Sequence, residues 1–262
     1  MPTAPSRKER THTVNADDNS LWIRRYHPRP DAAVRLVCLP HAGGSASFYF
    51  PVSRSMPDFA DVLCVQYPGR QDRRTEPLID NIPDLADKVY AALLPWADRP
   101  LALFGHSMGA ILAFEVARRL EREKGVVPAA LIASGRRAPS THRDETVHLR
   151  DDEGLIDEVK ELSGTDTQLL GDEEVLRMIL PSIRADYRAI ETYAYEPGEP
   201  LRCPVLGLIG DDDPKATVEE AAAWEQHTEG PFSLQVFPGG HFYLAQHQAE
   251  VIKAMADVLR AP

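Results

Sequence analysis

The chain has 262 residues, 43% of them hydrophobic and 26% charged, with 29 Lys and Arg against 40 Asp and Glu for a formal net charge of −11. That balance argues against a nucleic-acid binder, whose affinity comes from clustered cations, and suits an ordinary globular protein with a sizeable core. No apolar run approaches the roughly 20 residues that span a bilayer, and the opening MPTAPSRKERTHTVNADDNS has no signal-like apolar stretch. The expected compartment is therefore the cytoplasm, with neither membrane nor nucleic acid as partner.

Residues 1–19 are polar and unpatterned and read as a flexible tail; residues 20–262 read as one domain. Short apolar runs then recur as candidate strands: Leu21 to Tyr26, Val34 to Leu39, Val62 to Tyr67, Leu101 to Phe104, Ala129 to Ala133, Val205 to Ile209 and Phe232 to Phe237. Several, such as LALF, AALIA and VLGLI, are apolar throughout, as expected of strands covered on both faces in a parallel sheet. Helical patterns lie between them, at Pro83 to Trp96 and Ile111 to Leu120, and Thr217 with Glu220 forms a capping-box pattern that opens another helix. Alternating strands and helices predict an α/β fold with a mostly parallel central sheet flanked by helices.

The interval from Ala133 to Pro204 breaks the rhythm. It is too long for a simple loop and carries two amphipathic stretches, one with Leu155, Ile156, Val159 and Leu162, the other from Val175 to Ile190 with Pro181 expected to kink it. A helical insertion over about residues 138–195, above the carboxyl edge of the sheet where ligands bind, is the expectation; helices that merely extend the core are the alternative. Cys38, Cys64 and Cys203 sit in apolar runs without a CxxC pair and read as reduced core thiols. The histidines have no metal-ligand spacing, so neither a metal nor a cofactor is expected.

Chemistry is signalled by Gly105-His106-Ser107-Met108-Gly109, directly after LALF and directly before a helical pattern. A serine nucleophile needs a sharp strand-to-helix turn to expose its hydroxyl; flanking glycines leave room for it, and the helix start supplies an N–H for an oxyanion. A hydroxyl needs a base, and the base an orienting acid, in the chain order Ser, acid, His. Asp211-Asp212-Asp213-Pro214 follows VLGLIG and Gly239-Gly240-His241 follows the last strand. Residue types alone do not separate Asp211 from Asp213, and His247 competes with His241. Pro40-His41-Ala42-Gly43-Gly44 follows the strand VRLVCL, where an α/β-hydrolase places its second oxyanion donor, so the N–H groups of Ala42 and Met108 are assigned to that role.

The segments LPHAGGSASFYFPVS, QYPGRQDRR, FGHSMGAILAFEVARRLE, GDDDP and AWEQHTEGPFSLQVFPGGHFYL together resemble the type II thioesterases that accompany polyketide synthases and nonribosomal peptide synthetases. The resemblance runs over nearly the whole chain after residue 20. It implies an α/β-hydrolase fold, a triad of Ser107, Asp213 and His241, since the family's acid is the second Asp of a GDxDP pattern, and a mobile lid in the insertion. It also implies hydrolysis of stalled or aberrant acyl groups from the phosphopantetheine arm of carrier proteins. A medium-chain acyl-carrier thioesterase, a general carboxylesterase and a non-catalytic carrier-docking protein are the alternatives. A monomer is expected. Arg73 and Arg74, with Arg70, Arg136 and Arg137, are candidates to meet an acidic carrier; solvated loop charge is their other reading. Residues 144–174 hold twelve acidic residues against Arg150 and Lys160, so most of the net charge belongs to the expected lid.

Overall fold

The structure, a computed structural model, describes residues 21–163 and 173–260; the expected tail lies outside the described residues. The strands β1 (Ile23–Arg24), β2 (Val34–Leu39), β3 (Ala60–Val65), β4 (Leu101–His106), β5 (Ala130–Ser134), β6 (Val205–Gly210) and β7 (Phe232–Phe237) form one sheet in the order β1-β3-β2-β4-β5-β6-β7. Only β1 runs antiparallel to its neighbour; the remaining pairs are parallel. From β3 to β6 every strand residue is buried, which is why these runs are apolar throughout rather than alternating.

Alternate residues of each strand feed two apolar layers. Val37, Leu39, Leu63, Leu103 and Leu131 face the helices α2 (Ile82–Leu93) and α3 (Met108–Lys124). Leu36, Cys38, Val62, Phe104 and Ile132 face α1 (Phe50–Ser55) and the C-terminal helix α8 (Gln248–Arg260). All three cysteines are buried free thiols; burial pushes Cys64 and Cys203 up to about 12 and Cys38 well above its ordinary range.

Between β5 and β6 lie α4 (Asp152–Ser163) and α5 (Glu173–Glu191). Pro181, expected to kink this segment, sits inside α5 without ending it. The two helices share a small apolar cluster of Val147, Leu155, Ile156, Leu176, Leu180, Ile183 and Tyr187 that packs against Ala42 of the loop after β2. Beyond β6 come α6 (Val218–Ala222), opened by the Thr217 and Glu220 capping box, and, after β7, α7 (Tyr243–Gln246). The loops carrying Ala42, Ser107, Arg136, Asp213 and His241 all leave the carboxyl ends of parallel strands, so they converge on one edge of the sheet.

Candidate active site

Ser107 stands at the junction of β4 and α3 with φ 56° and ψ −119°, a conformation that costs an L-residue energy and pushes its side chain out of the turn. The turn is locked on both sides: the Ser107 N–H donates to the Ser134 carbonyl at 2.8 Å and the Ala110 N–H to the Ser107 carbonyl at 3.0 Å. Only glycine fits the flanks. A Cβ on Gly105 would lie 1.9 Å from the Gly109 carbonyl oxygen, and one on Gly109 would lie 2.1 Å from the Leu39 carbonyl oxygen.

Opposite this turn, the His241 ring nitrogen Nδ1 lies 2.9 Å from both Asp213 carboxylate oxygens. The two residues are 3% and 8% exposed. Asp213 also accepts the Lys215 N–H at 2.8 Å. The neighbouring aspartate does something else: Asp211 accepts the Gly239 N–H at 2.8 Å and so ties the β6 loop to the β7 loop that carries His241. His247 sits between α7 and α8, with Nε2 3.0 Å from the Pro238 carbonyl oxygen.

The loop His41–Gly44 is braced from below by hydroxyls, with Tyr49 donating to the Leu39 carbonyl at 2.8 Å and Tyr67 to the Pro40 carbonyl at 3.1 Å. Among the described residues the N–H groups of Ala42 and Met108 make no intramolecular hydrogen bond. The next N–H, of Gly43, is occupied: it donates to Asp186 of α5 at 2.7 Å. Asp186, 1% exposed, is also ion-paired with Arg70, whose Nε donates to the Gly44 carbonyl at 3.2 Å. One carboxylate of the inserted helices thus grips the loop beside Ala42. No motif pointed to Asp186; the available signal was a lone carboxylate on the apolar stripe of Ile183, Tyr187 and Ile190.

Three imidazoles adjoin at the site, His41 edge-on to His106 with centroids 5.9 Å apart and His106 tilted against His241 at 4.9 Å. Burial, with the neighbouring His241 charge, holds His41 down to about 3 and His106 well below its ordinary value, so both are neutral. His106 Nδ1 lies 2.9 Å from the Ser134 hydroxyl, itself 2.6 Å from the Tyr243 hydroxyl.

Ser107 and His241 line one small pocket together with Ala42, Arg136, Leu162 and Tyr187. It opens on one side into a largely apolar cavity of about 420 Å³ under the inserted helices, bounded by Phe48, Leu162, Leu176, Ile179, Ile183 and Phe242. On the other side it shares Arg136, Ile190 and Glu191 with a second cavity, of about 430 Å³, that runs along residues 136–143 and 193–197. Among the described residues no group of His, Cys, Asp and Glu stands together as metal ligands would.

The arginines expected at a carrier surface are placed differently. Arg73 is 3% exposed: its guanidinium lies 4.3 Å from the Trp22 ring centroid and bonds to the Gln66 carbonyl and to Glu76, so it is an internal tie and presents no charge outward. Arg70 is held by Asp186 and Arg137 by Glu145. Of the pair in GRQDRR, Arg74 alone is exposed.

The model of the thioesterase domain family matches residues 34–259. The chain is 55% identical over 253 residues, 97% of its length and 70% of the relative's, to the probable cadicidin biosynthesis thioesterase of Streptomyces griseus. It is 52% identical over 243 residues, 92% of its length and 86% of the relative's, to thioesterase PikA5 of Streptomyces venezuelae. Among solved structures, the type II thioesterase BorB of a borrelidin biosynthetic cluster superposes with a TM-score of 0.88 at 53% identity, covering 92% of this chain and 98% of that one. The chain therefore belongs to the thioesterase domain family, with the type II thioesterases as its near relatives. It has the α/β-hydrolase fold and is a hydrolase that acts on thioesters. No helix among the described residues is long and apolar enough to cross a membrane.

Proposed function

We propose that this chain removes stalled or aberrant acyl groups from the phosphopantetheine arms of carrier proteins in polyketide or nonribosomal peptide assembly. The observation that carries the mechanism is the buried Asp213 and His241 pair, whose imidazole lines one pocket with the strained Ser107. The biosynthetic roles that the relatives' names carry support the substrate class.

In this reading His241 takes the Ser107 proton as the hydroxyl oxygen attacks the thioester carbonyl, and Asp213 holds the imidazole in the required tautomer and offsets the charge it gains. The N–H groups of Ala42 and Met108 hold the tetrahedral oxyanion. Collapse expels the thiolate, a better leaving group than an alkoxide because its thiol has a pKa near 8.5, and the imidazolium supplies its proton. Water deprotonated by His241 then cleaves the acyl-Ser107 ester and frees the acid. The chain's own residues supply every step, without metal or cofactor. The helices α4 and α5 act as a lid over the acyl group, the chain works as a monomer, and Arg74 is the one member of its pair that can meet an acidic carrier.

Replacing Ser107 by Ala is expected to lower turnover by about a millionfold while leaving the fold unchanged by circular dichroism. Hydrolysis retained in that variant, or failure of a fluorophosphonate to label Ser107 in the wild type, would remove Ser107 from the mechanism. Rates on an acyl carrier protein, the matching acyl-CoA and a p-nitrophenyl ester test the substrate class; preference for the oxygen ester would reject it.

A further inference from the structure

The charges around the Ser107 pocket balance in number but are not all paired. Glu145 is ion-paired with Arg137 and Lys215, and Lys215 also with Glu158. Glu191 accepts the N–H groups of Val147 and His148 at 2.9 and 3.0 Å and the His148 ring at 2.5 Å. Asp213 belongs to His241. Arg136 is left over. It is 7% exposed, its Nε is buried without a partner, and among the described residues its guanidinium makes no ion pair or hydrogen bond. Burial and the neighbouring Arg137 lower it only to about 10, so it remains a cation at neutral pH. Its backbone is fixed, the carbonyl accepting the Trp224 indole N–H at 2.9 Å.

A buried guanidinium without a partner is costly, and folding alone would be served better by an apolar side chain of the same length. The position of Arg136 indicates what offsets that cost. It lies where the Ser107 pocket meets the cavity of about 430 Å³ that carries Ser140, Thr141 and Arg143, and it does not line the cavity of about 420 Å³ under the inserted helices. A thioester held at Ser107 has two arms of opposite character. The acyl arm matches the cavity lined by Leu162, Leu176 and Ile183; the thiol arm, which carries amides, matches the one lined by Arg136, Ser140, Thr141 and Tyr193.

We propose that Arg136 is a substrate-binding residue that donates hydrogen bonds to the amide carbonyl nearest the sulfur of the thiol arm, so that the site takes the two arms of its thioester into separate cavities. This rests on the thioester chemistry above and adds to it a determinant for the leaving-group side. A charged donor buried in a pocket makes a stronger hydrogen bond than a neutral one, and its planar fork orients the acceptor.

The test uses one acyl group on two thiols: N-acetylcysteamine, which keeps that amide, and an alkanethiol of equal length without it. Arg136→Met is expected to lower kcat/KM about ten- to hundredfold on the N-acetylcysteamine thioester and to leave the alkyl thioester within about twofold, with Arg136→Lys in between. Fluorophosphonate labelling of Ser107 at the wild-type rate shows that the variants are folded with a working triad. Equal losses on both thioesters would overturn the inference, as would a loss confined to acyl groups bearing a terminal carboxylate, which would place an anion subsite on the acyl side. A wild type that turns over only the oxygen ester would fail the thioester reading itself, whatever the variants do.

Discussion

The sheet body and the inserted helices are held by different forces. In the body two apolar layers enclose a sheet whose strands β3 to β6 are buried from end to end, so its geometry follows from contacts that are non-directional and indifferent to protonation. The insertion has a cluster of its own, and beside the packing of Ala189, Ile190 and Ala42 its links to the body include charges: Asp186 to Arg70 and to the Gly43 N–H, Glu145 to Arg137, and Glu145 and Glu158 to Lys215. The acidity concentrated in residues 144–174 is thus partly spent on anchoring. A rigid frame positions Ser107, Asp213 and His241, while the covering helices are attached by bonds with direction.

The contrast can be broken at its strong end first. Phe104, fully buried in the body with its ring 5.7 Å from that of Tyr49, should cost about 3–5 kcal/mol when cut to Ala. Urea unfolding would measure it, and a loss under about 1 kcal/mol would mean the body core is not what holds the frame. The second test separates stability from function at the anchor. Replacing the buried pair together, Arg70→Met with Asp186→Leu, should leave stability within about 1–2 kcal/mol. The same change should lower kcat about ten- to hundredfold, because the Gly43 N–H loses its acceptor and the loop carrying Ala42 is released. Unchanged kcat would reduce the contact to packing.

The smallest effect concerns pH. His41 is held down to about 3 in the fold against about 6.5 when unfolded, so its stabilising effect is complete above pH 6.5 and is lost as pH falls toward 3, where the unfolded chain binds a proton the folded chain refuses. At pH 5.5 this amounts to about 1 kcal/mol. A His41→Asn variant should show a shallower fall in unfolding midpoint between pH 7.5 and 5.5, and an identical fall would contradict the assignment.

Much of this architecture is legible in residue patterns because the dominant force is local in its signature. Runs such as LALF and VLGLI announce doubly covered strands, and a glycine pair around Ser107 announces a turn that only glycine can flank. What patterns do not carry is which of several chemically equal groups finds a distant partner. Asp211 and Asp213 differ by two positions, yet one ties two loops and the other orients an imidazole. Arg73 looks like surface charge until Trp22 and Gln66, brought in by β1 and β3, enclose it. Asp186 meets Gly43 across 143 residues of chain, and no window of sequence contains both.

The buried cysteines have a consequence for life beside the reaction product. Each turnover of a thioester releases a free thiol within the enzyme's own mouth, and thiols of that kind exchange readily with accessible protein thiolates once any disulfide is present. With burial raising Cys64 and Cys203 to about 12 and Cys38 well above its ordinary range, the thiols stay protonated at neutral pH. All three are sealed in the apolar layers or at their edge. The protein can therefore shed one thiol after another without forming a mixed disulfide with what it releases.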